Sequence, residues 1–365
     1  MNTDNLFRQF LEIWRPRINN ALDEFIGHNT SISQLERFFG SPVYEYDLEI
    51  IQKSLWDPLW DFMDRGGKRW RPALLILSAA VLGNVSESTL IKKILPLSII
   101  PEIIHNGTII VDDVEDNSKT RRKKPSLHLL FGIDTAVNCG NWLYFLPMFV
   151  LYEFHKQKTI SRDTFVKAYE IYQEEMLNLH LGQASDIGWH RSSSAIPSEA
   201  QYLQMCLNKT GCLARMAARL GVILGGGNTE QCNAIGHYAG TIGVAFQIQD
   251  DILNLRPPDT ARWTKDIGED ITEGKRTLMI LHLLTQISES QQQKILDILN
   301  QHTENKEVIQ EIISQMTTYG SFEYAENIAT DLVQSAWNQL TPLLHSSSFK
   351  ETLKAFGEYV IDRPI

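Results

Sequence analysis

Two acidic clusters interrupt segments that are otherwise apolar or amide-bearing. The first is Asp112-Asp113-Val114-Glu115-Asp116, and the second is Asp250-Asp251-Ile252-Leu253-Asn254. Successive residues of an α-helix are about 100° apart, so the first, second and fifth positions of each cluster fall in one sector of their helix. Carboxylates are rarely buried without a partner, and two such sets at one end of a helical protein would repel each other. We therefore expect cations at both clusters.

Carboxylate oxygens are hard ligands of the kind that Mg²⁺ prefers. Mg²⁺ holds few carboxylates, keeps several waters and shares phosphate oxygens. The pattern therefore predicts a diphosphate held by Mg²⁺ between the two helices. One cluster alone could equally well cap or solvate a helix end, but two clusters in the same local pattern favour a ligand site.

Two basic runs could contact an anionic ligand directly. Residues 66–72 read GGKRWRP, where a glycine pair lets the backbone approach a ligand, and residues 121–124 read RRKK. Basic runs also occur as solvated surfaces or nucleic-acid patches. The chain has 44 acidic and 34 basic residues, a net charge of −10, which argues against a nucleic-acid binder. The runs therefore favour a small anionic substrate.

The segments that carry these residues have helical periodicity. Helices are predicted over segments such as 7–25, 46–64, 164–185 and 229–255, whereas alternating apolar and polar runs are nearly absent. The composition, 43% apolar and 21% charged, excludes a disordered chain and a coiled-coil rod. No linker or repeat is visible. The sequence predicts an all-α fold, a single large helical domain spanning residues 1–365 whose middle helices are apolar nearly all round.

Two apolar stretches, residues 94–111 and 137–152, could be mistaken for membrane-spanning helices. The first contains proline, glutamate, histidine and asparagine, and the second is short and contains proline and asparagine, so both are expected to be buried helices. Charged residues interrupt the N-terminus, which lacks the apolar centre of a signal peptide. The four cysteines form no metal-binding pattern and are typical of a reducing compartment. We expect a cytoplasmic protein without a transmembrane segment.

Several motifs together resemble the trans-isoprenyl diphosphate synthases, or polyprenyl synthetases. They run in family order from about Tyr46 to Arg363, and they include GGKRWRP (66–72), DDVEDNSKTRR (112–122), HLGQASD (180–186), FQIQDDILN (246–254) and DITEGK (270–275). Within the family, the chain looks most like geranylgeranyl diphosphate synthases. The resemblance implies a helical bundle of the isoprenoid synthase type with a central cavity, preceded by an N-terminal extension over residues 1–45. Two departures are visible: Lys123 stands where most members have glycine, and Asn254 replaces the third aspartate of the second cluster.

The resemblance also implies a reaction. It is the Mg²⁺-dependent condensation of isopentenyl diphosphate with an allylic diphosphate (dimethylallyl, geranyl or farnesyl) into a longer trans-polyprenyl diphosphate. We expect geranylgeranyl diphosphate as the main product, farnesyl diphosphate as the starter, three Mg²⁺ ions with substrate bound, and a homodimer. The alternatives are a farnesyl or longer-chain synthase, a class I terpene cyclase on the same fold, and a regulatory subunit without catalysis. Cyclases lack an isopentenyl pocket and regulatory subunits typically lose one aspartate cluster, so the motifs disfavour both.

The family's roles transfer to matching positions of this sequence. The metal ligands would be Asp112, Asp113, Asp116, Asp250 and Asp251. The allylic diphosphate would contact Arg121, Lys209 and Lys265, and isopentenyl diphosphate would contact Lys68, Arg71, His105 and Arg122. Lys275 would also bind substrate. Thr210 and Gln247 would order the region of the carbocation, so that Lys209 and Gln247 join the aspartates as catalytic residues. Gln183, Asp186 and Asn254 would support the metal ligands from behind.

Product length is predicted from the helix that carries the first cluster. The growing tail should run beside this helix, where side chains one and two turns before Asp112 form its wall. Gly107 and Thr108 are small where farnesyl-specific relatives often place an aromatic residue, and Ile104 lies one turn deeper. A five-carbon unit needs about one helical turn, about 5.4 Å. The wall at Ile104, with His180 at the floor, predicts a twenty-carbon product.

Overall fold

The structure is a computed structural model that describes residues 4–83, 85–192, 194–256 and 267–361. The helices, in chain order, are α1 (Asp4–Ile26), α2 (Ile32–Phe39), α3 (Leu48–Ile51), α4 (Asp57–Asp64), α5 (Trp70–Ala80), α6 (Glu87–Thr89), α7 (Leu95–Ser98), α8 (Ile100–Glu115), α9 (Leu127–Phe131), α10 (Ile133–Lys156), α11 (Arg162–Arg191), α12 (Glu199–Cys206), α13 (Cys212–Leu224), α14 (Thr229–Leu255), α15 (Glu269–Thr272), α16 (Leu278–Gln286), α17 (Glu289–Asn300), α18 (Lys306–Thr318), α19 (Ser321–Leu340) and α20 (Ser348–Ile361). Single π-helical turns over Gln52–Trp56, Leu90–Ile94 and Leu207–Gly211 join neighbouring helices, and Thr341–Leu343 forms a 3₁₀ turn. The all-α prediction is confirmed.

A short hairpin stands among these helices. Strands β1 (Thr120–Arg121) and β2 (Lys124–Pro125) pair in antiparallel register, with Arg121 opposite Lys124. Helix α8 ends at Glu115, and the backbone then turns into the hairpin.

Helix α14 shows how local sequence sets the bounds of a helix. It spans Thr229–Leu255, the range that the apolar periodicity predicted. A capping box starts it, because the Gln231 amide donates to Asn228 Oδ1 at 2.9 Å and the Asn228 amide donates to Gln231 Oε1 at 3.0 Å. The second aspartate cluster therefore lies in the last turns of a long, well-started helix.

The chain forms two compact units. The amino-terminal unit comprises Arg8–Glu170 and Leu220–Gly227, and the carboxy-terminal unit comprises Met1–Phe7, Ile171–Arg219 and Asn228–Ile365. In the amino-terminal unit, α8 packs against α10, and every residue of α5 is buried. In the carboxy-terminal unit, α14 packs against α19 and the π turn Leu207–Gly211. The single domain expected over residues 1–365 stays a prediction.

A continuous helical stretch leads into the first cluster. Glu87–Glu115 is long and apolar enough to cross a membrane by length and composition alone, and 72% of its most apolar window is buried inside the protein. A buried apolar helix is the ordinary centre of a helical protein. The expected absence of a transmembrane segment remains a prediction.

Glycines allow α8 and α10 to approach closely. A Cβ atom on Gly107 would lie 2.9 Å from the Gly140 carbonyl oxygen and 2.9 Å from Leu143 Cβ, and one on Gly140 would lie 2.6 Å from Val111 Cγ2. Real Cβ atoms rarely approach backbone oxygen this closely, so both positions favour glycine. Gly107 was predicted to line the product tunnel, but the structure places its Cα against α10. A Gly107→Phe change would therefore separate two helices instead of simply shortening a tunnel.

We predict that Gly107→Ala destabilises the protein by about 1–3 kcal/mol, because the added methyl group overpacks the contact between α8 and α10. Urea unfolding followed by circular dichroism measures this change. The matched control is Gly188→Ala on α11, where a Cβ meets no atom within 4 Å. That variant should be stabilised by about 0.5–1 kcal/mol, since alanine favours the helix. Equal unfolding free energies for the two variants would contradict the close packing.

Candidate active site

The first aspartate cluster lies at the carboxyl end of α8. Asp116 caps the helix, and its amide donates to the Asp112 carbonyl at 2.9 Å. The C-terminus of a helix carries a partial negative charge, so carboxylates there are unfavourable without cations. Asp112 and Asp116 lie one turn apart and are partly exposed, whereas Asp113 is fully buried. The cluster therefore presents two accessible carboxylates and one buried carboxylate.

The buried carboxylate is paired with the first arginine of the hairpin. Arg121 donates to Asp113 Oδ1 from Nε at 2.7 Å and from Nη2 at 2.6 Å. Burial raises the pKa of Asp113 to about 6, and the Arg121 charge opposes this rise. Asp113 was predicted as a metal ligand and Arg121 as a diphosphate ligand. In the structure Asp113 orients Arg121. This pairing places the positive charge of Arg121 beside Asp112 and Asp116.

The carboxylates of α8 suit a metal ion whose coordination is completed by water and a ligand better than one that is coordinated by protein atoms alone. Within the described ranges, no three histidine, cysteine, aspartate or glutamate residues converge on one point. Mg²⁺ commonly takes one or two carboxylates and completes its octahedron with water and phosphate oxygens. Asp112 and Asp116 supply such donors. A ligand with its own phosphate oxygens is therefore the natural companion of an ion at this end of α8.

A second group of cations surrounds His105, which lies on α8 two turns before Asp112. Burial lowers the pKa of His105 well below its ordinary value, and the charges of Arg71 and Arg122 lower it further. The ring is therefore neutral near pH 7, and a neutral imidazole can still donate one hydrogen bond to an anion. Arg71 is buried with its guanidinium 4.2 Å from the centre of the Trp70 ring, and Lys68 is exposed just before α5. The structure thus brings His105, Arg71 and Arg122 together, as predicted for a diphosphate pocket.

The middle arginine of GGKRWRP has a different role. Arg69 is buried, and its Nη1 donates to Glu102 Oε1 at 2.7 Å while its Nε donates to Asn19 Oδ1 at 2.9 Å. A Cβ on Gly67 would lie 2.9 Å from Arg69 Nη1, so the close approach of the loop to this side chain favours glycine. Arg69 therefore fixes the loop between Lys68 and Arg71, the two cations of this motif that were predicted to contact a ligand.

In the carboxy-terminal unit, a chain of hydrogen bonds holds the second cluster. Gln247 Nε2 donates to Asp251 Oδ1 at 2.8 Å, and the Tyr202 hydroxyl donates to Asp251 Oδ2 at 2.7 Å. Thr210 Oγ1 donates to Gln247 Oε1 at 2.6 Å, which fixes the orientation of the Gln247 amide. The predicted residues Thr210 and Gln247 therefore meet at Asp251. Tyr202 was missed, although it lies seven residues, about two helical turns, before Lys209.

Two lysines lie beside this hydrogen-bonded chain. Lys209 Nζ lies 2.6 Å from Asp186 Oδ2, and Lys275 Nζ lies 3.3 Å from Asp270 Oδ1. Asp186, Lys209, Asp251 and Lys275 line a cavity of about 30 Å³. A cavity of this size has room for about two water molecules. Both lysines can therefore place positive charge next to Asp251.

Close glycine contacts produce this arrangement. A Cβ on Gly182 of α11 would lie 2.3 Å from the Lys209 backbone nitrogen, and one on Gly243 of α14 would lie 2.5 Å from Gly211 Cα. The π turn Leu207–Gly211 therefore sits against both helices, and such turns are frequent at functional sites. These glycine contacts join residues far apart in the sequence, so they appear only in the packed structure.

Burial raises the pKa of Asp251 to about 8, and the charge of Asp270 adds to the effect, whereas Lys275 and the hydrogen bonds from Tyr202 and Gln247 oppose it. A carboxyl group with such a pKa is largely protonated near neutral pH. A bound cation would favour its charged form. Positive charge beside Asp251 therefore favours the ionised carboxylate that a metal ligand needs.

Other predicted residues lie in different surroundings. Asn254 is buried, and its Oδ1 accepts from the Asp270 amide at 3.0 Å, so it holds the start of α15, and its predicted support of the metal ligands stays a prediction. Asp250 and Gln183 are partly exposed on α14 and α11, and their predicted roles stay predictions. Lys265 lies outside the described residues.

The residues predicted to set product length lie in two different units. In the amino-terminal unit, Gly107 packs against α10, as described above, and Ile104 is fully buried. In the carboxy-terminal unit, His180 is exposed on α11 with Nδ1 at 2.8 Å from the Met176 carbonyl oxygen, and its role at the floor stays a prediction. Thr108 is half-buried, and its hydroxyl donates to the His105 carbonyl at 2.8 Å. Thr108 and Ile104 remain the candidates on α8.

The chain is similar in sequence to known proteins. The family model described as polyprenyl synthetase matches residues 52–316. A protein of Apiospora sacchari named geranylgeranyl pyrophosphate synthase is 36% identical over 66% of this chain and 68% of its own length. A protein of the same name from Dictyostelium discoideum is 32% identical over 82% of this chain and 92% of its own length.

Solved structures share the fold. Geranylgeranyl pyrophosphate synthetase from Pyrococcus horikoshii superposes with a TM-score of 0.82 at 25% identity, and 100% of each chain is covered. Geranylgeranyl pyrophosphate synthase from Corynebacterium glutamicum, solved with isoprenyl diphosphate and magnesium, superposes with a TM-score of 0.78 at 22% identity, over 98% of this chain and 99% of the other.

We predict that the metal-free protein loses stability as the pH rises from about 4 to about 8. The pKa of Asp251 is raised in the folded state, so the protonated carboxyl group stabilises the fold at pH values below its ordinary pKa. This stabilisation is lost as the carboxyl group ionises while the pH rises to about 8. In Asp251→Asn the free energy of unfolding should fall less over this pH range, by at least about 1.4 kcal/mol, the equivalent of one pKa unit. Urea unfolding in the presence of a chelator, at several pH values, measures it. Asp331→Asn, at an exposed position of α19, is the control, and parallel curves for wild type and Asp251→Asn would contradict the burial effect.

Proposed function

Because the chain belongs to the polyprenyl synthetase family, we propose that it joins isopentenyl diphosphate to an allylic diphosphate and releases geranylgeranyl diphosphate as its main product. The chain is a trans-prenyltransferase, an enzyme that elongates prenyl chains. The relatives named geranylgeranyl pyrophosphate synthase support the product, and farnesyl diphosphate is the proposed starter.

One observation carries the assignment of the site. Each aspartate cluster lies at the carboxyl end of a long helix, where negative charge is unfavourable, and each has cations beside it. In the amino-terminal unit the cation is Arg121, and in the carboxy-terminal unit the cations are Lys209 and Lys275. This combination of carboxylates and cations suits a diphosphate held through Mg²⁺.

In the proposed reaction the allylic carbon–oxygen bond breaks, and its electron pair leaves with the diphosphate. The double bond of isopentenyl diphosphate attacks the allylic carbon, and a proton then passes from the adjacent carbon to the released diphosphate. Mg²⁺, when bound, supplies charge neutralisation for the leaving group. Arg121 in one unit, and Lys209 and Lys275 in the other, would add fixed positive charge to a bound diphosphate. We propose three Mg²⁺ ions with substrate bound, on the aspartates of both clusters.

The second substrate would bind at the basic group of the amino-terminal unit. Lys68, Arg71 and Arg122 would contact the isopentenyl diphosphate, with His105 donating one hydrogen bond. The crowding of arginines around a neutral histidine supports this role, because a bound anion would relieve their mutual repulsion. A terpene cyclase has no second diphosphate to bind, so this group disfavours the cyclase alternative.

We also propose a cytoplasmic homodimer without a transmembrane segment. Leu177 and Leu181 lie one turn apart on α11 and are 60% and 61% exposed. Neighbouring exposed leucines favour a protein interface. A monomeric mass by light scattering at micromolar concentration would count against the dimer.

The purified chain, supplied with Mg²⁺, farnesyl diphosphate and isopentenyl diphosphate, should yield geranylgeranyl diphosphate. Extraction and chromatography of the products measure chain length. The control omits isopentenyl diphosphate and should release no hydrocarbon, since a hydrocarbon product there would favour a cyclase. A main product of fifteen carbons, or of thirty or more, would overturn the chain-length proposal.

A further inference from the structure

The hairpin β1–β2 carries two of the proposed substrate ligands on an unfavourable backbone. Its strands contain two residues each, and an isolated hairpin of this size is not stable in water. The central residues Arg122 and Lys123 have φ angles of +52° and +68°. This left-handed conformation is unfavourable for a residue with a side chain. The hairpin therefore needs contacts from outside to keep its shape.

Arg65, the residue that follows α4, supplies those contacts. Its side chain is fully buried, and its Nη1 donates to the Arg121 carbonyl at 3.1 Å and to the Pro125 carbonyl at 2.9 Å. One carbonyl belongs to each strand of the hairpin. Arg65 therefore holds both strands at once, which a side chain with a single donor could not do in the same geometry.

Asp61 orients Arg65 from one turn earlier on α4. Its Oδ1 accepts from Arg65 Nε at 3.0 Å and from Nη2 at 2.5 Å, and its Oδ2 accepts from Lys124 Nζ at 3.1 Å. Asp61 thus fixes the guanidinium plane and also holds a residue of β2. The pair forms a clasp, by which we mean Asp61 and Arg65 together with their bonds to the hairpin.

The hairpin is bonded in return to the glycine loop that follows Arg65. Arg122 Nη1 donates to the Gly66 carbonyl, and the guanidinium groups of Arg122 and Arg65 lie 5.0 Å and 5.6 Å from the centre of the Phe62 ring. Gly66 stands two residues before Lys68. The clasp therefore joins the loop that presents Lys68 to the turn that presents Arg122.

We propose that Arg65, oriented by Asp61, is a positioning residue that sets the relative placement of Lys68 and Arg122 and thereby the affinity for isopentenyl diphosphate. The proposal rests on the proposed function of the basic group as the isopentenyl pocket. Arg65 touches neither substrate, because its donors are directed to carbonyl groups and to Asp61. Its effect should fall on one substrate, since Lys68 and Arg122 both belong to that pocket.

The test compares Arg65→Lys with the wild type in steady-state kinetics and in calorimetric titration with isopentenyl diphosphate. Lysine keeps the charge but cannot bond Asp61 and both strands in one plane. We expect the KM and the dissociation constant for isopentenyl diphosphate to rise about tenfold, the size of one lost charge-assisted hydrogen bond. The KM for the allylic substrate and kcat at saturating isopentenyl diphosphate should change less than about twofold.

Arg37→Lys is the matched control. Arg37 also pairs with a carboxylate, Glu153, at 3.2 Å and lies over the ring of Phe38 in the same unit, but it bonds no residue of the hairpin. It should leave both KM values unchanged. If Arg65→Lys does not fold, Asp61→Asn keeps the shape of the acceptor and should raise the KM for isopentenyl diphosphate in the same direction.

The outcomes separate the two proposals. A wild-type enzyme that binds no isopentenyl diphosphate would overturn the proposed function, and the positioning role with it. The wild type could instead be active while Arg65→Lys and Asp61→Asn lose thermal stability and keep both KM values. That result would show that the clasp is only structural, and it would overturn the positioning role alone. Equal increases in both KM values would also overturn it.

Discussion

Negative charge at the carboxyl ends of α8 and α14 is the constraint on which the site depends. A helix already carries partial negative charge at this end, and the sequence adds carboxylates to both helices there. Burial adds a second cost, since it is the main cause of the raised pKa values of Asp113 and Asp251. A fold that keeps such groups must supply positive charge, in part from its own side chains and in part from a ligand and its ions.

The protein supplies its share through paired side chains in each unit. Arg121 is held by Asp113, and Lys209 is held by Asp186, so neither cation is left to move freely around the site. Pairing a cation in this way costs part of its attraction for substrate but fixes its position before substrate arrives. Preorganised charge of this kind is effective in catalysis because little reorganisation is needed when the leaving group departs.

Much of the fold and the site follows from sequence patterns, and the exceptions have physical reasons. Helical periodicity predicted the bounds of α14, and the family resemblance singled out Thr210, Gln247 and Asp251, which form one hydrogen-bonded chain in the structure. The hairpin at Thr120–Pro125 was missed because two-residue strands are too short to show alternation. Lys123, where glycine is usual in the resembling family, occupies a turn position with positive φ, a preference that no periodicity reveals.

The contacts of glycines and of buried polar residues were also not predictable from the sequence. Gly107 looks like open space in a tunnel when only side-chain size is considered, but its neighbour is the backbone of Gly140. Arg69 looks like a third ligand of GGKRWRP until Glu102 and Asn19 are seen around it. Each case depends on residues far apart in the sequence, so it could be resolved only from the packed structure.

The most direct test of the central claim is the melting temperature of wild type and Asp112→Asn, each measured with a chelator and with Mg²⁺ plus inorganic diphosphate. Our account predicts that Asp112→Asn is at least as stable as wild type in the chelator, because one charge at the end of α8 is removed. It also predicts that the variant gains clearly less stability than wild type from Mg²⁺ and diphosphate. A variant that is less stable than wild type in the chelator, yet gains as much from Mg²⁺ and diphosphate, would contradict the account.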